Sequence, residues 1–209
     1  MIDCQIDTLR KGLDKPLPGR AAQELMAPSL RPAGKFSPDH SEPRPSGVLI
    51  LVFPGMKGLS TVFIERSQWG PHGGQISLPG GKKEDQDPDI IFTALREAYE
   101  EIGIVPSGVE TIGLLSTLYV PHSNYLIQPV VGYLTSQPVF MPDLHEVDSI
   151  VIVGLSDLFD PMNRKTMVIR RPGTDITAPY YDADGHHVWG ATAMIMSELE
   201  VILTSGISG

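Results

Sequence analysis

Residues Leu78–Ile104, LPGGKKEDQDPDIIFTALREAYEEIGI, carry the pattern that decides the fold. From Asp89 to Ile102 the spacing predicts a helix. Ile91, Leu95, Ala98 and Ile102 fall on one face at about 100° per residue, a core-facing stripe. Asp89 suits the N-cap and Gly103 the C-terminal stop. Glu97, Glu100 and Glu101 stand at i, i+3 and i+4, so their carboxylates cluster on a different face. Carboxylates at these spacings repel one another, and the macrodipole disfavours negative charge near a helix C-terminus. Two local rules are broken together, which calls for a compensating cation. Clustered carboxylate oxygens are the ligands that Mg²⁺ or Mn²⁺ prefer. Arg96, four residues before Glu100, is placed to orient one carboxylate, and Gly80 and Gly81 permit a tight turn and close backbone approach to a ligand. An acidic helix face is ordinarily solvated surface. Here the Gly-Gly turn, the Arg-Glu pair, the Glu-Glu pair and the terminal Gly occur in fixed order, which favours a site.

Working outward, Val48–Phe53 is a continuous apolar run closed by Pro54-Gly55, the signature of a buried strand. Thr61–Arg66 reads as a second strand across a Gly-containing hairpin turn. The Gly-rich stretch between Trp69 and Asp89 has little helix-forming potential. Beyond the helix, Thr111–Val120, Leu126–Tyr133 and Val147–Gly154 read as strands, and Ser156–Pro179 as a variable stretch. Short strands near Tyr180–Tyr181 and His187–Trp189 precede a closing helix from about Ala191 to Leu203. Strands flanking a central helix, with a second helix at the end, predict an α/β fold, an α/β/α sandwich with a mixed sheet. Residues 1–45 differ: Ile2, Ile6, Leu9 and Leu13 mark a short amphipathic helix, followed by a proline-rich extended arm. That arm is either packed on the domain of residues 46–209 or a disordered leader.

Bulk composition narrows the function. With 41% hydrophobic and 20% charged residues, the 209-residue chain has a globular composition and length enough for one domain with a substantial core. A formal charge of −9, with no Lys/Arg-rich run, argues against nucleic acid as a partner. The single cysteine, Cys4, excludes an internal disulfide and a Cys-based zinc site and suggests a reducing compartment. The N-terminus lacks the basic-then-apolar pattern of a secretory signal, and no stretch reaches the ~18 apolar residues of a membrane span. A cytoplasmic location is expected.

The central segment resembles the Nudix box, G-x5-E-x7-R-E-U-x-E-E-x-G-U. Arg96, Glu97, Ala98, Glu100, Glu101, Gly103 and Ile104 match its second half. The first half departs: counted from Gly81 the acidic residue is Asp87, eight residues rather than seven before Arg96, and Pro88 stands where the spacing from Arg96 would put the Glu. A longer run, FIERSQWGPHGGQISLPGGKKEDQDPDIIFTALREAYEEIGI, is similar to the coenzyme A pyrophosphatase branch, as are LYVPHSNYLIQPVVGYL and HHVWGATAMIMSEL. Against that branch, Leu78 replaces a Phe, the loop is one residue shorter, and its usual Arg is missing. The resemblance implies a Nudix-type fold and a metal-dependent diphosphatase. Its expected substrate is coenzyme A or a derivative, split to 3′,5′-ADP and a phosphopantetheine product. ADP-ribose or another nucleoside diphosphate derivative is the alternative within the family. The resemblance also implies one to three Mg²⁺ or Mn²⁺ ions held by Glu97, Glu100 and Glu101 with backbone help near Gly80 or Gly81, and a homodimer. A non-catalytic ligand-binding module would be expected to have lost the carboxylates, and all three glutamates are present.

Outside the box, Glu146 lies just before a predicted strand and reads as a fourth carboxylate, a general base, or an exposed loop acid. Arg66, Lys82 and Lys83 are candidates to meet substrate phosphates, and His72 is a weaker candidate for substrate contact. His186 and His187 have no neighbouring acid or third ligand and read as structural. Ser77 and Ser123 lack a nucleophile-elbow context, and the Gly-rich loop matches neither a dinucleotide fingerprint nor a P-loop.

Overall fold

The computed structural model describes residues 2–29, 42–69, 73–171 and 174–205. Its elements, in order, are α1 (Ile2–Leu13), α2 (Arg20–Gln23), β1 (Arg44–Gly55), β2 (Gly58–Arg66), β3 (Ile76–Ser77), β4 (Gly80–Lys82) and α3 (Ile90–Ile102). There follow β5 (Glu110–Leu114), β6 (Leu118–Val120), β7 (Tyr125–Tyr133), β8 (Val147–Gly154), α4 (Leu155–Leu158), β9 (Arg164–Arg171), β10 (Thr174–Ala183), β11 (His186–Trp189) and α5 (Gly190–Ser205).

The apolar run of β1 is buried on both faces, and its alternation divides the interior in two. Leu49, Leu51 and Phe53 point to the side of α3, where they join Val62, Ile64, Ala94, Ala98, Ile102 and Val130. Ile50 and Val52 point the other way, into a core shared with Ile6, Leu9, Phe63, Val131, Met194 and Leu199. Helices therefore cover both faces of the sheet. That sheet is mixed: β1 runs parallel to β7, and antiparallel to β2 and β4. The expected α/β/α sandwich is the observed architecture.

One topological detail positions the candidate site. Along one edge, β1 pairs with β4 over its first half (Ser46–Val48) and with β2 over its second (Val52–Gly55). β4 leads into α3, whose first turn lies so close to β1 that a Cβ on Gly47 would sit 2.7 Å from the Ile90 carbonyl oxygen. The sheet, the Gly-Gly turn and the acidic helix thus meet at one place.

Two expectations are corrected, and an alternative left open is answered for residues 2–29. The predicted strand Thr111–Val120 is two strands, because Leu115–Thr117 oppose Gln128 and Pro129 of β7. Pro129 has no N–H to donate to the ladder, and the Gln128 side-chain amide donates to the Leu115 carbonyl instead at 2.7 Å. The variable stretch Ser156–Pro179 contains most of α4, all of β9 and the first part of β10. β9 and β10 form a hairpin that, with β11, makes a second, three-stranded sheet. Its sequence signal was weak because β9 is largely exposed and anchored by charge: Arg164 reaches Glu200 at 2.5 Å and Lys165 reaches Asp182 at 2.6 Å. Finally, residues 2–29 pack on the domain. Gln5 accepts from Leu59 N at 3.0 Å, and Arg10 pairs with Glu110 at 2.7 Å. The buried Glu198 of α5 accepts from Gly19 N at 2.9 Å and from Gln23 Nε2 at 3.2 Å. The remainder of the predicted arm, residues 30–41, lies outside the described residues. No helix among the described residues is long and apolar enough to cross a membrane.

Candidate active site

The helix α3 starts and stops as its sequence predicts. Asp89 caps it, accepting from Phe92 N at 2.8 Å. Gly103 ends it at φ 73°, and the Gly103 N–H donates to the Tyr99 carbonyl at 3.0 Å. Of the three glutamates, Glu101 is the most deeply placed, 1% exposed. Its Oε2 accepts from Gly80 N at 2.8 Å, and its Oε1 faces Arg66 Nη1 at 3.4 Å. Gly80 achieves this approach at φ 150°, where a Cβ would strike the Gly47 carbonyl oxygen at 2.4 Å. Glu97 lies against the next residue, its carboxylate 2.4–2.5 Å from where a Cβ on Gly81 would be. Gly80 is thus required by the backbone itself, whereas at Gly81 the missing side chain leaves room for the mobile end of Glu97.

The electrostatics show unbalanced negative charge. Burial, chiefly, pushes the Glu101 carboxyl up to about 7, with the negative charges of Glu97 and Glu146 adding to it. The Gly80 N–H and Arg66 offset part of that rise. Burial also raises Glu97, against the pull of Arg96 and with the push of Glu100 and Glu146. Glu97, Glu101 and Glu146 therefore feel one another across a shared space. Glu100 acts on Glu97 by its charge, but its own carboxylate is held by Arg96, its Oε2 accepting from Arg96 Nη1 at 2.7 Å. Among the described residues no three acidic, His or Cys side chains converge on a single point that would hold an ion. The donors are nevertheless of the right kind. Carboxylates crowded at the end of a helix, one of them buried with Arg66 at 3.4 Å as its counter-charge, are relieved by a hard divalent ion.

Arg66 and Glu146 come from outside the helix, one at the end of β2 and one just before β8. A register shift between Glu65 and Arg66 re-aims Arg66 at the end of β2. Glu146 precedes β8, and its carbonyl accepts from Ser67 N at 2.9 Å. Lys82 contributes its carbonyl oxygen to Arg96 at 3.3 Å while its side chain is exposed. Lys83 donates to the Asp87 carbonyl at 2.5 Å.

Asp87 resolves the spacing anomaly of the first half of the motif. Although it stands one residue early, its carboxylate is 2% exposed and grips Arg96 twice, from Nε and Nη2, each at 3.0 Å. It also accepts from Glu84 N and from the Thr93 hydroxyl, each at 2.9 Å. Hydrogen bonding to Arg96 holds the Asp87 carboxyl well below the usual carboxylate range and raises Arg96 in turn. Arg96 is left spanning Asp87, Glu97 at 3.0 Å and Glu100. Sequence reasoning found Asp87 only as a misplaced acid, and Thr93 not at all. The readable signal was the pair itself, an Asp and a Thr six apart around a helix start.

The NUDIX domain pattern matches residues 43–167, the segment holding every one of these groups. The chain belongs to the Nudix family. It is 34% identical over 176 residues to Nudix hydrolase 15, mitochondrial, of Arabidopsis thaliana, covering 80% of this chain and 61% of that one. It is 30% identical over 169 residues to the mitochondrial coenzyme A diphosphatase NUDT8 of Homo sapiens, covering 78% and 72%. The chain thus spans about three-fifths of the length of the plant Nudix relative. Among solved structures it is similar to the MutT protein of Methanosarcina mazei, with a TM-score of 0.50 at 14% identity, over 85% of this chain and 100% of that one. That likeness is one of fold.

Other predicted candidates lie elsewhere in this Nudix chain. His186 Nδ1 is 3.2 Å from the Ala183 carbonyl, and the His187 ring packs against Tyr180, tilted by 36° with centroids 4.2 Å apart, so both have structural partners. The Ser123 carbonyl accepts from Arg44 at 2.7 Å, and the buried Ser77 hydroxyl has no hydrogen-bond partner among the described residues. His72 lies outside the described residues.

Proposed function

We propose that this Nudix chain hydrolyses a diphosphate bond in a nucleotide derivative with the aid of Mg²⁺ or Mn²⁺. Its substrate, in this proposal, is coenzyme A or an acyl derivative, cleaved to 3′,5′-ADP and a phosphopantetheine product. Residues 46–209 form the hydrolase domain and residues 1–45 the arm attached to it. The single exposed cysteine, Cys4, fits a reducing compartment, the cytoplasm in this reading.

The observation that carries the proposal is the burial of Glu101 between the Gly80 N–H and Arg66, with Glu97 and Glu146 close enough to push its carboxyl up. A carboxylate buried with two others nearby is costly on its own, and divalent cations bound with a polyphosphate would offset that cost. Glu97, Glu100 and Glu101 would hold the cations, Glu100 by turning from Arg96. Bound there, the cations would neutralise the diphosphate oxygens and acidify water. Arg66 is placed to meet a phosphate oxygen, and the Gly80–Gly81 backbone and Lys82 line the approach. Glu146 takes the proton of the attacking water as its oxygen bonds to phosphorus. The bond from that phosphorus to the bridging oxygen breaks, and its electron pair leaves with the second phosphate.

Coenzyme A as substrate is supported by the similarity to relatives named coenzyme A diphosphatases in human and mouse. The departures at Leu78 and in the shortened loop favour the second reading, another nucleoside diphosphate derivative such as ADP-ribose. Product release from coenzyme A and from ADP-ribose, with Mg²⁺ or Mn²⁺ and with a chelator, separates them. Coenzyme A is expected to be preferred, and the chelator to abolish turnover; equal rates on both substrates overturn the coenzyme A assignment. Glu101→Gln keeps a group able to accept from Gly80 and is expected to lower kcat by roughly 10²–10⁴ in a folded protein. Full activity in that variant overturns the site.

A further inference from the structure

The segment between β7 and β8 passes across the C-terminal end of α3 in a way that the reaction alone does not explain. Met141 N donates to the Ile102 carbonyl and Asp143 N to the Glu101 carbonyl, each at 3.0 Å. These are two of the helix's last carbonyls, which have no partner within the helix itself. The approach is tight: a Cβ on Gly103 would stand 2.9 Å from Met141 Cβ. Asp143 then folds the chain back on itself. Its Oδ1 accepts from His145 N at 2.9 Å, while its carbonyl accepts from Glu146 N at 3.0 Å and from Val147 N at 2.8 Å. An Asp side chain bonded to the backbone N–H two residues on is an Asx-turn, a local device for reversing direction. Glu146 is the residue this turn presents. Its carbonyl is pinned from the opposite side by Ser67 N at 2.9 Å, next to Arg66.

We propose that Asp143 is a positioning residue that sets the place of the Glu146 carboxylate relative to Glu101. One residue makes both links: its backbone N–H is tied to Glu101, and its carboxylate and carbonyl build the turn that carries Glu146. The exposed Glu146 side chain has no hydrogen-bonding partner of its own to fix it among the described contacts, so the backbone turn determines where its carboxylate begins. Misplacement of a catalytic group by about 1 Å is enough to cost a large part of its rate contribution. This inference rests on the reading of Glu146 as the group that takes the proton from water.

The experiment compares Asp143→Ala, Asp143→Asn and Glu146→Gln, and the Asp143→Ala/Glu146→Gln double variant. Steady-state kinetics and amide hydrogen exchange are measured on each full-length protein. Asp143→Ala is expected to lower kcat by about tenfold with KM within about twofold of the parent. Asp143→Asn, whose carboxamide oxygen can accept from His145 N, restores the parent rate. In the Glu146→Gln background, Asp143→Ala costs less than about twofold, because the two act as one unit. Exchange of the Glu146 and Ser67 amides speeds up in Asp143→Ala, while the Ile50 and Ala94 amides in the core stay protected. An unchanged kcat in Asp143→Ala, beside an impaired Glu146→Gln, overturns the positioning role. So does an Asp143→Ala loss that persists undiminished in the double variant. Full activity of Glu146→Gln overturns the underlying reading instead, and the exchange data then show a turn held by Asp143 that serves no chemistry.

Discussion

Replacing Asp87 by Ala tests whether the early acid supports the helix that bears the glutamates. The change removes two hydrogen bonds to Arg96, one from Glu84 N and one from the Thr93 hydroxyl, all at 2.9–3.0 Å and at a position 2% exposed. Removing one member of a buried ion pair costs about 3–5 kcal/mol. Arg96 keeps Glu97, Glu100 and the Lys82 carbonyl as partners, which places the expected loss at the lower end, about 3 kcal/mol. For a chain of this length that corresponds to a fall in Tm of roughly 6–12 °C, read by thermal or urea unfolding. The pH dependence supplies a second check. Because Arg96 depresses the Asp87 carboxyl in the folded state, its stabilisation is fully present above the ordinary Asp range of about 4 and is lost as pH falls below it. The gap between parent and variant is therefore expected to be widest near neutral pH and to close on acidification. A variant within about 0.5 kcal/mol of the parent at pH 7, or a gap that widens in acid, would refute the assignment of Asp87 as the partner of Arg96.

Two further substitutions probe the site and the core separately. Gly81→Ala places a methyl where the Glu97 carboxylate now lies, 2.4–2.5 Å away; the flexible end of Glu97 yields. A loss of kcat of about tenfold or more with less than about 1 kcal/mol of destabilisation is expected, and parent kinetics would show that Glu97 need not sit against the turn. Thr61 is fully buried in β2 with its hydroxyl unpartnered among the described residues, so Thr61→Val is expected to stabilise the protein by about 1 kcal/mol in urea unfolding. Destabilisation would reveal a hidden partner for that hydroxyl.

The sequence made the local parts of this fold readable and left the long-range parts dark. Periodicity located α3 to within one residue because a capping Asp, an apolar stripe and a terminal Gly all lie within a few turns. The buried run of β1 was equally plain, since a strand covered on both faces needs no polar alternation. The β9–β10 hairpin escaped notice because an exposed strand held by Arg164 and Lys165 carries no apolar period to detect. The break at Leu115–Thr117 depends on Pro129 in the facing strand, and a break dictated by a partner cannot be read from its own residues.

The same division runs through the candidate site, and it explains why the helix alone does not build it. Glu97, Glu100 and Glu101 share a helix, so their spacing alone predicted a common face, yet in the structure Glu100 belongs to Arg96 while Glu97 and Glu101 lean on the Gly-Gly turn. What distinguishes them is where other segments arrive: β4 supplies Gly80 and Gly81, the end of β2 supplies Arg66, and the approach to β8 supplies Glu146. Asp87 shows that the requirement is for a carboxylate at the Arg96 guanidinium rather than for a fixed count of residues. Pro88 turns the chain directly before the Asp89 cap, so an acid one position early can still reach Arg96 with both oxygens. A motif written as spacing records the commonest route to a contact; the contact itself carries the charge balance on which the neighbouring glutamates depend.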